Sequence, residues 1–148
     1  KGEIKIIGAD SDGAYYGLMT LTQMLEQKTE DNKIAETVIS DYPSVKLRGF
    51  VEGFYGYPWS FEDRLSLMSE SSDFKMNTYI YAPKDDPYHK DQWRELYPDD
   101  KAEELRQLAA EGKKDNMSFC WSVHPGNGFN YSTDDDYNAL INKFEQFI

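Results

Sequence analysis

The stretch LRGFVEGFYGYPWSFEDRLSLMSESSDF, residues 47–74, carries the reading of the fold. Its first eight residues form a short apolar run that reads as a buried strand. A loop crowded with rings and glycines follows, and then a helical pattern opened by Ser60 and Asp63, a capping-box-like start. The same order returns twice. MNTYIYA (76–82) reads as a strand, PKDDPYHKDQWRELYPDD (83–100) as a long loop, and KAEELRQLAAEGKKDN (101–116) as a helix with Leu105 and Leu108 inward. MSFCWSV (117–123) is the next strand, HPGNGFNYSTDDD its loop, and YNALINKFEQFI (137–148) a closing helix. Strands alternating with helices at this spacing predict βαβ units on a parallel sheet with right-handed crossovers. Two closures satisfy that pattern, an open doubly wound sheet and a (β/α)8 barrel, and a barrel takes eight units in about 250 residues.

Upstream, residues 1–27 read as a strand around Ile4 to Ile7, a Gly/Asp turn over 8–13, and a helix from about Ala14 to Gln27. Leu18, Leu21 and Leu25 share one face of that helix. KTEDNK is a polar loop, and IAETVISDYPSVKLRGFVEG a second extended piece in which Pro43 marks a boundary.

Composition narrows the classes. With 39% apolar and 15% aromatic residues in 148, the chain is too rich in core-formers to be disordered. A net charge of −11 argues against nucleic acid and against an anionic membrane surface as partners, since both reward clustered Lys and Arg. The lone Cys120 excludes an internal disulfide framework and a cysteine-based zinc cage, and reads as a small buried hydrophobe in its strand. No apolar run is long enough to cross a bilayer.

Four strand-end loops carry residues with chemistry. In EGFYGYPW, Gly53 allows close backbone approach and Tyr55 and Trp59 offer flat walls of the kind sugar rings stack on; the competing reading is a packed corner. In APKDDPYH, Lys84 can bind a hydroxyl or carboxylate, against a local ion network of Lys84, Asp85 and Asp86 that merely orders the loop. His89 and His124 lie in different units without further ligands at metal spacing, so no metal site is expected. Asp134, Asp135 and Asp136 invite an acid–base pair, but at the start of the last helix they read as dipole and N–H caps. No Ser-His-Asp order, Walker loop or dinucleotide glycine pattern is present, and no cofactor is expected.

Taken together, RGFVEGFYGYPWSFEDRL, MNTYIYAPKDDPYHKDQWRELYP and WSVHPG closely resemble the opening of the catalytic barrel in glycoside hydrolase family 84, the O-GlcNAcases and bacterial β-N-acetylglucosaminidases once called hyaluronidases. DGAYYGLMTLTQML is similar to the final helix of the small α/β domain that precedes the barrel in bacterial members. The resemblance therefore implies an α/β chain with residues 1–45 ending that small domain and residues 46–148 supplying the first three βα units of a (β/α)8 TIM barrel. It implies hydrolysis of terminal β-linked N-acetylglucosamine with retention, the substrate's own 2-acetamido oxygen acting as nucleophile, an exception to the two-carboxylate scheme. In the family two adjacent aspartates orient the acetamido group and supply the general acid and base. That pair stands at the end of the fourth barrel strand, so no catalytic residue is expected within this chain. Asp134 to Asp136 sit one strand too early.

Residue by residue, the resemblance carries over Gly53, whose backbone meets a sugar hydroxyl, Lys84, whose ammonium binds the same region of the ring, and Tyr55, which lines the pocket. N-acetylglucosamine-containing glycans or glycoproteins are the implied partners. The parent is expected to be bacterial and secreted or at the cell surface, and the 148 residues alone to be inactive and to self-associate. Two alternatives of another class are a non-catalytic carbohydrate-binding or interaction module, and a complete flavodoxin-like domain.

Overall fold

The computed structural model describes residues 2–27, 33–124 and 128–147. Seven elements follow one another: α1 (Ser11–Glu26), β1 (Gly49–Glu52), α2 (Phe61–Asp73), β2 (Thr78–Tyr81), α3 (Asp99–Lys114), β3 (Ser118–Trp121) and α4 (Asp134–Glu145). The strands form one parallel sheet in the order β1-β2-β3, with Gly49 opposite Thr78 and Thr78 opposite Ser118. This is the βαβαβ arrangement that the alternation of patterns predicts.

Local chemistry explains where each helix starts and stops. The Ser60 side chain accepts from Asp63 N at 3.1 Å while the Asp63 carboxylate accepts from Ser60 N at 3.4 Å, the reciprocal capping box. The two helix-to-strand turns are near copies of each other. Lys75 (φ 61°) and Asn116 (φ 54°) occupy the left-handed region one residue past the caps Phe74 and Asp115. Met76 N then donates to Ser71 O at 3.1 Å and Met117 N to Gly112 O at 2.7 Å, the six-to-one bond of a Schellman ending. The repeat read from the sequence thus extends to the turns.

Side chains alternate across the sheet. Tyr79 and Tyr81 face α2 and α3 and build the core with Met68, Tyr97, Ala102, Leu105, Leu108 and Met117; Phe50, Phe119 and Trp121 pack against it. Leu105 and Leu108 are buried as expected. The opposite face is open: Val51 is 55% exposed and Cys120 is exposed. The expectations of a buried first strand and a buried Cys120 are corrected for the same reason, since parallel strands are buried on both faces only where a second layer covers them.

The upstream reading also changes. Residues 2–10 contain no strand, and the described part of the second extended piece forms none before Gly49. An extended segment becomes a strand only by pairing, and among the described residues no neighbouring strand reaches either one. The helix there forms close to its predicted bounds, starting on the Asp10 cap, but buries no residue. Leu18 and Leu25 are about half exposed, and Leu21 lines a groove of about 1100 Å³ with Ile4, Ile6, Met24, Ile34 and Ile39. α1 is tethered to α2 by Tyr15 Oη and Ser72 Oγ at 2.6 Å, and Gln23 Nε2 donates to Asp73 O at 2.6 Å.

Candidate functional site

The carboxyl ends of the parallel strands carry three loops, the position at which α/β sheets of either closure hold ligands. One short segment, Lys84 to His89, ties all three together. Lys84 N donates to Phe54 O at 3.2 Å, and the Asp85 carboxylate accepts from Gly56 N at 2.5 Å, joining the loops after β1 and β2. His89 Nδ1 meets Ser122 O at 3.0 Å, joining the loops after β2 and β3. Between them Asp86 is buried; it accepts from Tyr81 Oη at 2.8 Å, Tyr97 Oη at 2.9 Å, Tyr88 N at 2.9 Å and His89 N at 3.2 Å. Burial, reinforced by the Asp86 charge, pushes the phenols of Tyr81 and Tyr97 well above the usual tyrosine range, so both remain donors at neutral pH.

The predicted ion network is therefore replaced by something else. The two aspartates do order the loop, but through backbone amides and tyrosine hydroxyls, and no ion pair among the described residues includes Lys84. Its backbone is fixed while its ammonium is left for other acceptors. In the first loop, Gly56 with φ +114° is the position whose backbone demands glycine, whereas a Cβ on Gly53 would meet only Val51 Cγ1 at 3.3 Å. Tyr55 is 72% exposed, with Lys90 Nζ 5.7 Å from its ring centre. Trp59 belongs to the packed-corner reading: its ring lies against Phe50 and Phe54, and its backbone N–H donates to Glu52 Oε1 at 3.2 Å. The loop is thus part corner, part exposed wall.

Below that corner stands a feature with no sequence signal. Glu52, fully buried, accepts from Arg64 Nε at 2.9 Å and Nη2 at 2.8 Å, and from the Tyr79 hydroxyl. Burial opposes the Arg64 charge, yet the bonds and the charge of Glu52 raise its pKa above the ordinary value. This pair locks the end of β1 to α2 and so sets where the first loop leaves the sheet.

His89 and His124, which belong to different units, lie with ring centres 6.0 Å apart. His89 is 2% exposed; burial, with the Lys84 and His124 charges, lowers its pKa. Among the described residues no group of three or more His, Cys, Asp or Glu is placed to hold a metal ion. Of the three aspartates opening α4, Asp136 does more than face the dipole: its carboxylate receives Arg94 Nε at 2.5 Å and Nη2 at 2.8 Å and Asn130 N at 2.7 Å. It is committed to holding the loops after β2 and β3.

A family model described as beta-N-acetylglucosaminidase matches residues 48–148. The chain belongs to this family. Residues 1–42 of this family member match a second model, glycosyl hydrolase family 20, domain 2. The protein O-GlcNAcases of Rattus norvegicus and Mus musculus are each 38% identical to it over 100 residues, 68% of the chain. The chain spans only 11% of either relative's length. Among solved structures, CpGH84B matches with a TM-score of 0.84 at 40% identity over 94% of this chain and 25% of that one. CpGH84D gives a TM-score of 0.81 at 42% identity over 93% and 24%. A mutant of the Thermobaculum terrenum O-GlcNAc hydrolase gives 0.67 at 34% identity over 69% and 22%. The resemblance to glycoside hydrolase family 84 carried by the strand-end motifs agrees with each of these.

Proposed function

We propose that the chain forms the first wall of the sugar pocket of a retaining β-N-acetylglucosaminidase, with Gly53, Tyr55 and Lys84 as the residues that meet the substrate. The observation that carries the reading is the convergence of the loops after β1 and β2, where Phe54 O holds Lys84 N and Asp85 holds Gly56. That sets the Gly53 backbone in a turn pinned at Gly56, an exposed Tyr55 ring, and a Lys84 ammonium that enters no ion pair among the described residues on adjacent strand ends. A sugar presents hydroxyls to the first and last and a C–H face to the ring.

In this reading the sheet is the opening third of a (β/α)8 barrel, preceded by the end of a small α/β domain over residues 1–45. The open face bearing Val51 and Cys120 fits an interior-facing layer of such a barrel. The acetamido oxygen of the substrate is the nucleophile, and the paired aspartates belong to the fourth strand of the whole protein. Terminal N-acetylglucosamine on glycans or glycoproteins is the substrate class, and the parent is a bacterial protein acting outside the cell or on its surface.

Release of fluorophore from a 4-methylumbelliferyl N-acetyl-β-glucosaminide, together with binding of N-acetylglucosamine by NMR, tests the reading. The expected result is no turnover by these 148 residues and weak binding that Lys84→Ala abolishes. Turnover by the chain alone, or binding untouched by Lys84→Ala, overturns it.

A further inference from the structure

His89 has a buried nitrogen that no described residue satisfies. Its Nδ1 faces the carbonyl oxygen of Ser122 at 3.0 Å, and because a carbonyl only accepts, that nitrogen carries the proton. The tautomer is thereby set. Nε2 keeps its lone pair, is shielded from solvent, and has no hydrogen-bond partner among the described residues. A buried acceptor left without a donor is costly, and native structures keep such groups where a ligand or a moving partner satisfies them.

One donor with spare capacity belongs to the same short segment. Lys84 begins the stretch that ends at His89; its ammonium enters no ion pair among the described residues, and its charge acts on the imidazole. Asp86 on the same loop and His124 beyond β3 are the other titratable groups acting on that ring. Asp86 is already engaged by two hydroxyls and two amides, which leaves it less available to the lysine.

We infer that His89 is a positioning residue for Lys84: in the sugar-bound state the ammonium bridges the Nε2 lone pair of His89 and a sugar oxygen. An ammonium has three donors, so it can serve both at once, and the imidazole fixes the direction of a side chain that otherwise rotates freely. The inference rests on the sugar-binding reading of Lys84. It adds a consequence that reading lacks: protonation of His89 removes the acceptor and sets a second cation beside the ammonium, so binding weakens in acid.

The test uses the full chain, N-acetylglucosamine as probe, and NMR titrations from roughly pH 7 to 5, across the range in which histidine changes charge. His89→Phe keeps a ring without nitrogen, and His89→Gln places a non-titrating amide acceptor near the Nε2 position. Binding is expected to weaken about tenfold in His89→Phe, the worth of one charge-assisted hydrogen bond. It is expected to survive in His89→Gln and to lose its pH dependence there, which a role in packing alone would not produce. Binding by His89→Phe equal to the wild type, or coincident pH profiles for wild type and His89→Gln, overturns the inference while the sugar reading stands. Absence of binding by the wild type overturns both.

Discussion

The Asp85 carboxylate accepts the backbone N–H of Gly56 at 2.5 Å, across the gap between two strand ends. Gly56 sits at φ +114°, a conformation that few residues other than glycine adopt, so this bond holds an otherwise pliable turn in one shape. Asp85→Ala is expected to cost about 1–2 kcal/mol, because one charge-assisted bond at an exposed site is lost. The larger expected effect is on N-acetylglucosamine binding, since Gly53 and Tyr55 ride on the released loop. Chemical denaturation beside NMR titration separates the two, and a stability loss without weaker binding would detach the loop from the site.

The Glu52–Arg64 pair makes a sharper stability prediction. Removing one partner strands a buried charge, so Glu52→Ala or Arg64→Ala is expected to lose about 3–5 kcal/mol. The Tyr79 hydroxyl loses its acceptor in the first case. A double replacement by apolar residues, Glu52→Leu with Arg64→Met, is expected to recover most of that loss, because the desolvation of both charges disappears with them. Urea midpoints of the three variants check this, and a double variant as weak as the singles would contradict it.

Lys143 is 1% exposed and donates to Tyr88 O at 2.5 Å, Trp93 O at 3.1 Å and Glu95 O at 2.7 Å. Burial pulls its pKa down to about 8, against the charges of Asp86 and Glu95, which favour the proton. Lys143→Met leaves three inward carbonyls without a donor and is expected to cost about 3 kcal/mol. Hydrogen exchange is expected to show the loss of protection concentrated in the loop between β2 and α3. Uniform loss across the sheet would argue against a local latch.

The pH dependence of stability follows from His89. Burial, with the Lys84 and His124 charges, holds its folded pKa below 6.5, so between that lower value and 6.5 the unfolded chain binds more protons. Stability from this group is therefore complete above 6.5 and falls as the pH drops below it, by at most about 1.4 kcal/mol per pH unit. Denaturation midpoints from roughly pH 7 to 5 are expected to slope downward in the wild type and to flatten in His89→Gln. An unchanged slope in that variant would place the acid sensitivity elsewhere.

Much of this architecture is legible in the chain itself. Short apolar runs alternating with helical patterns locate three βα units, the Ser60–Asp63 box marks a helix start within one residue, and the acidic opening of α4 follows helix-dipole logic. The misreadings share one cause. A strand around Ile4 to Ile7, a buried β1 and a buried Cys120 all presume neighbours, and apolarity records only a capacity for burial. Whether that capacity is used depends on which surfaces meet.

The candidate site divides along the same line. Gly53, Tyr55 and Lys84 stand out by residue type at strand ends, where local order alone places them. Nothing in KDD distinguishes Asp85, which holds Gly56 from the surface, from Asp86, which is buried under two tyrosine hydroxyls. Nor does spacing bring His89 to Ser122, or Glu52 to Arg64 and Tyr79. Those partners lie 12 to 33 residues apart in the chain. The repeating units and the chemistry offered at their ends are legible in the chain alone, because helical spacing, capping and turn preferences act over a few residues. Which of those groups are paired, buried or available is fixed in the folded molecule, because desolvation and hydrogen bonding depend on the residues that packing brings together.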